Sequence, residues 1–172
     1  MTTPQNDINK LIEQMANELR EKFVDTSIND AVMVGIHTGG VWVAERLHAL
    51  LNIQQPLAQL DISFYRDDFS RIGMNPQVKP SKLPVSVDDA HIILVDDILH
   101  TGRTIRAALN EIFDYGRPAS VTLAVLGNRS GRELPIQADV IGKEFQLGQH
   151  EHVKLSGPDP LQIQILEAVE SP

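Results

Sequence analysis

The 172-residue chain has no cysteine, which excludes disulfides, thiolate nucleophiles and any zinc site built on sulfur. Such an absence fits a reducing compartment. No stretch approaches the roughly 18 uncharged apolar residues that a membrane span needs. The polar run Met1 to Lys10 carries an acid and does not read as a signal peptide. The expected location is therefore cytoplasmic, with no membrane partner. Runs of cations are missing as well: the 15 Lys and Arg are scattered and the formal net charge is −8. Non-specific nucleic-acid binding draws most of its affinity from counterion release on a basic face. That class would need a patch assembled by the fold or by an oligomer. Small anions ask for less, since backbone amides and one or two cations suffice.

What remains is an ordinary globular composition, 42% hydrophobic and 22% charged, with no repeat, low-complexity tract or linker. A single domain over residues 1–172 is expected. Ile8, Leu11, Ile12, Met15 and Leu19 recur on one stripe and predict a helix over 7–23. Ala31 to Ile36 is almost wholly apolar, as suits a strand covered on both faces. A helix follows over about 40–51, and Leu57 to Phe64 reads as a second strand. Residues 65–87 lose regular patterning, and a long unpatterned stretch inside a domain is usually functional or disordered. His91 to Val95 is the clearest buried strand. The helix behind it, about 103–115, places Ile105, Ala108, Leu109, Ile112 and Phe113 on one side. Strands are expected at 120–126 and 138–142, and a short helix after Pro160. Alternating strands and helices predict right-handed crossovers and an α/β fold with a doubly wound, mainly parallel sheet. Ligands of such sheets bind beyond the carboxyl ends of the strands.

Two glycine-bearing turns fall at those ends. The first, His37-Thr38-Gly39-Gly40, follows Ile36. The second holds Thr101, Gly102, Arg103 and Thr104 between a strand and the first turn of a helix. Free backbone N–H groups, the positive end of the helix dipole and two hydroxyls make that turn a phosphate cradle. Its spacing matches neither a Walker A loop nor GxGxxG. Asp96 and Asp97 immediately precede it, placed to accept hydrogen bonds from the vicinal hydroxyls of a sugar and to stabilise positive charge on its ring. The plainer alternative is an acidic strand end followed by a helix cap.

Val95-Asp96-Asp97-Ile98-Leu99-His100-Thr101-Gly102-Arg103-Thr104 resembles the phosphoribosyl-pyrophosphate (PRPP) motif of type I phosphoribosyltransferases. Asp61-Ile62-Ser63-Phe64-Tyr65-Arg66-Asp67-Asp68, Gly116-Arg117-Pro118-Ala119-Ser120 and Arg132-Glu133-Leu134-Pro135-Ile136 extend the similarity to the PyrR family of pyrimidine operon regulators, relatives of uracil phosphoribosyltransferases. The likeness spans roughly residues 30–145. It implies the type I fold, with a small hood drawn from the terminal segments and about 127–150, and a mobile lid at about 65–87. It also implies conversion of uracil and PRPP to UMP and pyrophosphate with Mg²⁺. Asp96 and Asp97 would hold the ribose hydroxyls, touching the metal only through water and ribose. Thr101, Gly102, Arg103 and Thr104 would bind the 5′-phosphate, and His37, Thr38, Gly39 and Gly40 the pyrophosphate, with Arg66 reaching the leaving group. Val140 and Ile141 would meet the base, their backbone groups on its edge and Val140 on its face, the plainer alternative being an ordinary buried strand; Asn128 would lie beside the base.

The resemblance further implies a homodimer or larger assembly, sensing of UMP or UTP, and binding of pyrimidine operon leader RNA. Departures matter. The family often carries Lys and Arg where this chain has His37 and Gly39, and an acid at Asn128, so weaker PRPP binding is expected. Purine salvage enzymes of the fold carry an acid at the place of His100 and a lysine at that of Asn128, which argues against hypoxanthine or guanine. That salvage activity, and a sensor with little turnover, are the alternatives. His100 either exchanges a proton with the base or lines its pocket. Arg129 and Arg132 flank the base site or are simply solvated. His150-Glu151-His152 is weak as a metal motif, lacking a third ligand. Trp42 reads as packing, and His48 and His91 as structural or exposed.

Overall fold

The structure, a computed structural model, describes residues 1–62 and 83–168. Its centre is built from the apolar runs. Val32–Ile36 (β2), Ala58–Leu60 (β3), His91–Leu99 (β4), Ser120–Arg129 (β5) and Val140–Phe145 (β6) form one five-stranded sheet in the order β3-β2-β4-β5-β6, every pairing parallel. Alternation along each strand serves two cores. Ile93 and Val95 of β4, with Ala124 and Leu126 of β5, face helices α1 (Gln5–Lys22) and α2 (Gly39–Leu50). Ile92 and Leu94, with Leu123 and Val125, face α3 (Arg103–Tyr115). Burial on both faces is why the central stretches of these strands are apolar.

Helix α1 buries Ile8, Ile12, Met15, Ala16 and Leu19, the predicted stripe. Asp7 in its first turn and Arg20 and Lys22 in its last complement the helix dipole. In α3, Ile105, Ala108 and Ile112 are buried but Phe113 is 55% exposed. At 3.6 residues per turn, Phe113 sits about 80° round from Ile105, beyond the edge of the packed face.

The carboxyl-terminal part departs from expectation. Gln162–Glu167 (β8) is a strand, not a helix, and pairs antiparallel with both Glu151–Ser156 (β7) and Thr2–Thr3 (β1). Together they make a second, three-stranded sheet, in which Leu155 and Ile163 enter the main core. Strands β4 and β5 also run further than the apolar pattern suggested, to Leu99 and Arg129. Asp96 and Asp97 are thus still in the strand. Most of the unpatterned stretch expected as a lid, with Arg66, lies outside the described residues. Among the described residues, no helix is long and apolar enough to cross a membrane.

Candidate active site

Sheet register brings the first glycine turn beside the acids. Gly35 pairs with Val95, so the chain leaving β2 runs alongside Asp96 and Asp97. The His37–Thr38 peptide is cis, and Gly39 and Gly40 open α2. Both glycines are pressed against β4. A Cβ on Gly39 would lie 2.2 Å from Oδ2 of Asp97, and one on Gly40 would lie 2.7 Å from the Val95 carbonyl oxygen and 3.2 Å from Oδ1 of Asp96. Only glycine permits this approach, so the two carboxylates face the two glycines across the start of a helix.

Each acid also orders the backbone behind it. Oδ1 of Asp96 accepts the Asp97 N–H at 2.9 Å, and Oδ1 of Asp97 accepts the Ile98 N–H at 2.7 Å. Asp96 is 5% exposed, the one charged residue among the buried ones described. The side chain of His37 turns away from this centre, with Nε2 2.8 Å from Oε1 of Gln59 on β3. Gln59 carried no signal in the sequence.

The second turn leaves β4 at His100. Gly102 has a φ of +93°, the left-handed conformation that glycine adopts without strain, and it caps α3. The Arg103 N–H donates to the Thr101 hydroxyl at 3.2 Å. The amides of Thr101, Gly102, Thr104 and Ile105 donate to no acceptor among the described residues. Four such donors at the positive end of a helix are the arrangement that can bind an anion. The Arg103 guanidinium does not face it: Nε donates to Oε2 of Glu133 at 2.6 Å, and both side chains are half exposed. What Arg103 brings to the turn is its backbone.

At the end of β5, Asn128 is engaged at both ends of its amide. Its Oδ1 accepts from Nη2 of Arg132 at 2.7 Å, and its Nδ2 donates to Oε2 of Glu144 at 2.9 Å. Arg132 also donates through Nη1 to the His100 carbonyl. Partial burial of the His100 ring holds its pKa below the usual imidazole value; Arg129 and Arg132 push the same way and Glu133 opposes them. At neutral pH the ring is therefore uncharged. Nε of Arg129 is buried with no hydrogen-bond partner among the described residues.

The expectation for Val140 needs correction. It pairs with Ala124 in mid-sheet, is fully buried and packs in the α1–α2 core, so its side chain has no free face for a base. Ile141 is partly buried on the α3 side. Residues of β6 that reach the carboxyl edge of the sheet are Glu144 and Phe145, opposite Asn128 and Arg129. His48 and His91 are tied to Gln55 and Ser120, and Trp42 packs against the core. Among the described residues, no three His, Asp or Glu side chains converge on a point that could hold a metal.

Comparison with known proteins agrees with this geometry. The phosphoribosyl transferase domain model matches residues 4–155. A protein of Nitrosococcus oceani called Bifunctional protein PyrR is 62% identical over 161 residues, covering 92% of this chain and 91% of its own length. One of the same name from Pseudomonas paraeruginosa is 56% identical over 155 residues, covering 90% and 91%. Among solved structures, a hypoxanthine phosphoribosyltransferase of Trypanosoma cruzi aligns with a TM-score of 0.70 at 20% identity, over 96% of this chain and 95% of that one. A Staphylococcus aureus hypoxanthine phosphoribosyltransferase gives 0.66 at 18% identity, over 84% and 77%. At those identities the two structures speak for the fold alone. This chain belongs to the phosphoribosyl transferase family and, within it, to the bifunctional PyrR proteins.

Proposed function

We propose that the chain transfers the ribosyl phosphate of PRPP to uracil, releasing pyrophosphate and forming UMP, and that the same pocket reads uridine nucleotides to regulate pyrimidine operon transcription through leader RNA. One observation carries the reading. A helix start with unpaired amides stands directly after two carboxylates, and those carboxylates face a second helix start made of glycines. A 5′-phosphate fits the first helix start, pyrophosphate the second, and ribose hydroxyls the acids between them. Both helix dipoles then point positive charge at phosphate oxygens.

The residues do their work by position and charge. Asp96 and Asp97 orient the ribose and stabilise the cationic character that grows at C1′ as the bond to pyrophosphate breaks. The His37 N–H is held by the Leu60 carbonyl at 2.8 Å, so the amides of Thr38, Gly39 and Gly40 offset the charge of the departing group. Uncharged His100 lines the pocket where the base nitrogen attacks, or exchanges a proton with it. The donor set suits Mg²⁺, which prefers one or two carboxylates plus phosphate oxygens and water over a closed protein cage. Asp96 and Asp97 are the residues that would hold it, through water and ribose hydroxyls; bound there, it neutralises phosphate charge.

Uracil is favoured over a purine because both relatives bear the PyrR name and because Asn128 stands where purine enzymes of the fold carry a lysine. Its amide is already committed to Arg132 and Glu144. We read residues 65–87, with Arg66, as the lid, and the β1–β7–β8 sheet as part of the hood. The working form is a cytoplasmic homodimer or larger assembly. Initial rates with uracil, hypoxanthine and guanine, at fixed PRPP and Mg²⁺, test the assignment. Uracil is expected to be used at least tenfold better than either purine, and a purine preferred over uracil would overturn it. Leader RNA binding that weakens steeply with rising salt, and strengthens with UMP, is the matching result for regulation.

A further inference from the structure

Among the described residues, the turn between β4 and α3 has only two hydrogen bonds of its own, from the Arg103 N–H to the Thr101 hydroxyl and from the Arg106 N–H to the Gly102 carbonyl. Residues 131–136, in the connection from β5 to β6, touch it at each position from His100 to Arg103. Arg132 donates to the His100 carbonyl, and the Glu133 and Leu134 N–H groups both donate to the Thr101 carbonyl, at 2.9 and 3.2 Å. Glu133 holds the Arg103 guanidinium at 2.6 Å. Leu134 and Ile136 lie against Gly102, and the backbone of Gly131, at a φ of +109°, lies against the His100 ring.

Peptide geometry turns that grip into a function. In a planar trans peptide the C=O and the following N–H point in opposite directions. Holding the His100 carbonyl toward the 131–134 segment therefore aims the Thr101 N–H away from it, and holding the Thr101 carbonyl does the same for the Gly102 N–H. Those are two of the unpaired amides of the anion site. Arg132 is the only side chain of the segment seen to reach a bend carbonyl among the described residues, and its other nitrogen is anchored on Asn128, itself tied to Glu144.

We propose that residues 131–134 are the second half of the phosphate site, and that Arg132 is a positioning residue that aims the Thr101 and Gly102 amides at the 5′-phosphate without touching it. The proposal rests on the reading of the bend as the 5′-phosphate site. It predicts a selective loss. Arg132→Gln in the full chain should weaken ligands that carry a 5′-phosphate and spare those that do not.

Calorimetric binding of UMP, uridine and inorganic pyrophosphate to wild type and R132Q tests it, with kcat and KM measured alongside. UMP affinity is expected to fall about tenfold, the scale of losing one charge-assisted hydrogen bond. The KM for PRPP should rise by a similar factor, while uridine and pyrophosphate binding and the KM for uracil stay unchanged. A wild-type protein that binds uridine as tightly as UMP would remove the 5′-phosphate site itself. A wild-type preference for UMP that R132Q keeps in full would overturn the positioning role alone. Arg132→Lys keeps the charge but not the two-pronged grip. If R132Q does not fold, R132K is read on the same ligands: a smaller loss in the same direction supports the role, and an unchanged UMP-to-uridine ratio overturns it.

Discussion

Substituting alanine for Gly39 separates catalysis from stability. The new methyl would come within 2.2 Å of Oδ2, 2.8 Å of Cγ and 3.0 Å of Cβ of Asp97. The first contact is more than ~1 Å inside ordinary van der Waals separation. Because the stem of Asp97 is also too close, rotating the carboxylate alone does not relieve it, and the acid must shift by about 1 Å. Overpacking of this kind costs about 1–3 kcal/mol. Gly39 is also the first residue of α2, where alanine returns up to ~1 kcal/mol of helix propensity. The net loss is roughly 0–3 kcal/mol, and the Tm falls by no more than about 12 °C. Catalysis suffers far more, since a displacement of 1 Å in a reacting constellation costs about a hundredfold. A thermal melt and the rate of UMP formation on one preparation check this. G39A with a near-normal melt and an undiminished rate would refute the placement of Asp97 beside the pyrophosphate turn.

Two further outcomes follow from the same geometry. Asp97→Asn keeps the Oδ1 acceptor for the Ile98 N–H but removes the charge. D97N should therefore melt within a few degrees of wild type while turnover drops about 10²–10³-fold, and an unchanged rate would discard its role at the ribose. His100 has a folded pKa below the unfolded value of 6.5, so the unfolded chain takes up the proton first as pH falls. Stability from this group is full above that value and is lost as pH drops below it. Urea midpoints from pH 7.5 to 5.5 should therefore decline less in His100→Gln than in wild type, and parallel declines would count against the burial and the arginines as the cause.

The parts legible in the sequence were those where one physical rule acts alone. Strand 91–95 and α1 showed because burial on a face leaves an apolar pattern, and the bend at 100–103 showed because glycine and hydroxyls cluster where a strand meets a helix. Strand β4 outran its pattern because Asp96 pairs with Val125 in the ladder and Asp97 continues the strand, whereas polarity in a sequence looks like a strand end. The second sheet was hidden for a related reason. Val153 and Leu155 alternate with polar residues in β7, as Ile163 and Ile165 do in β8, but the segments are short and the partner of β8 on one side is the distant pair Thr2–Thr3. Val140 looked available to a base because its place along the chain is near that of base-contacting residues, whereas its register with Ala124 buries it. The grip of residues 131–134 on the bend joins positions such as His100 and Arg132, 32 residues apart, through backbone carbonyls, and side-chain chemistry in a sequence does not reveal that.

The central claim is spatial: one nucleotide lies with its phosphate on the start of α3 and its sugar against two adjoining acids. A crystal structure of the protein grown with UMP measures this directly. The account predicts phosphate oxygens within hydrogen-bond distance of the Thr101 and Gly102 amides and ribose hydroxyls on Asp96 and Asp97. UMP bound elsewhere in the molecule, with the turn at 101–104 vacant, would contradict it.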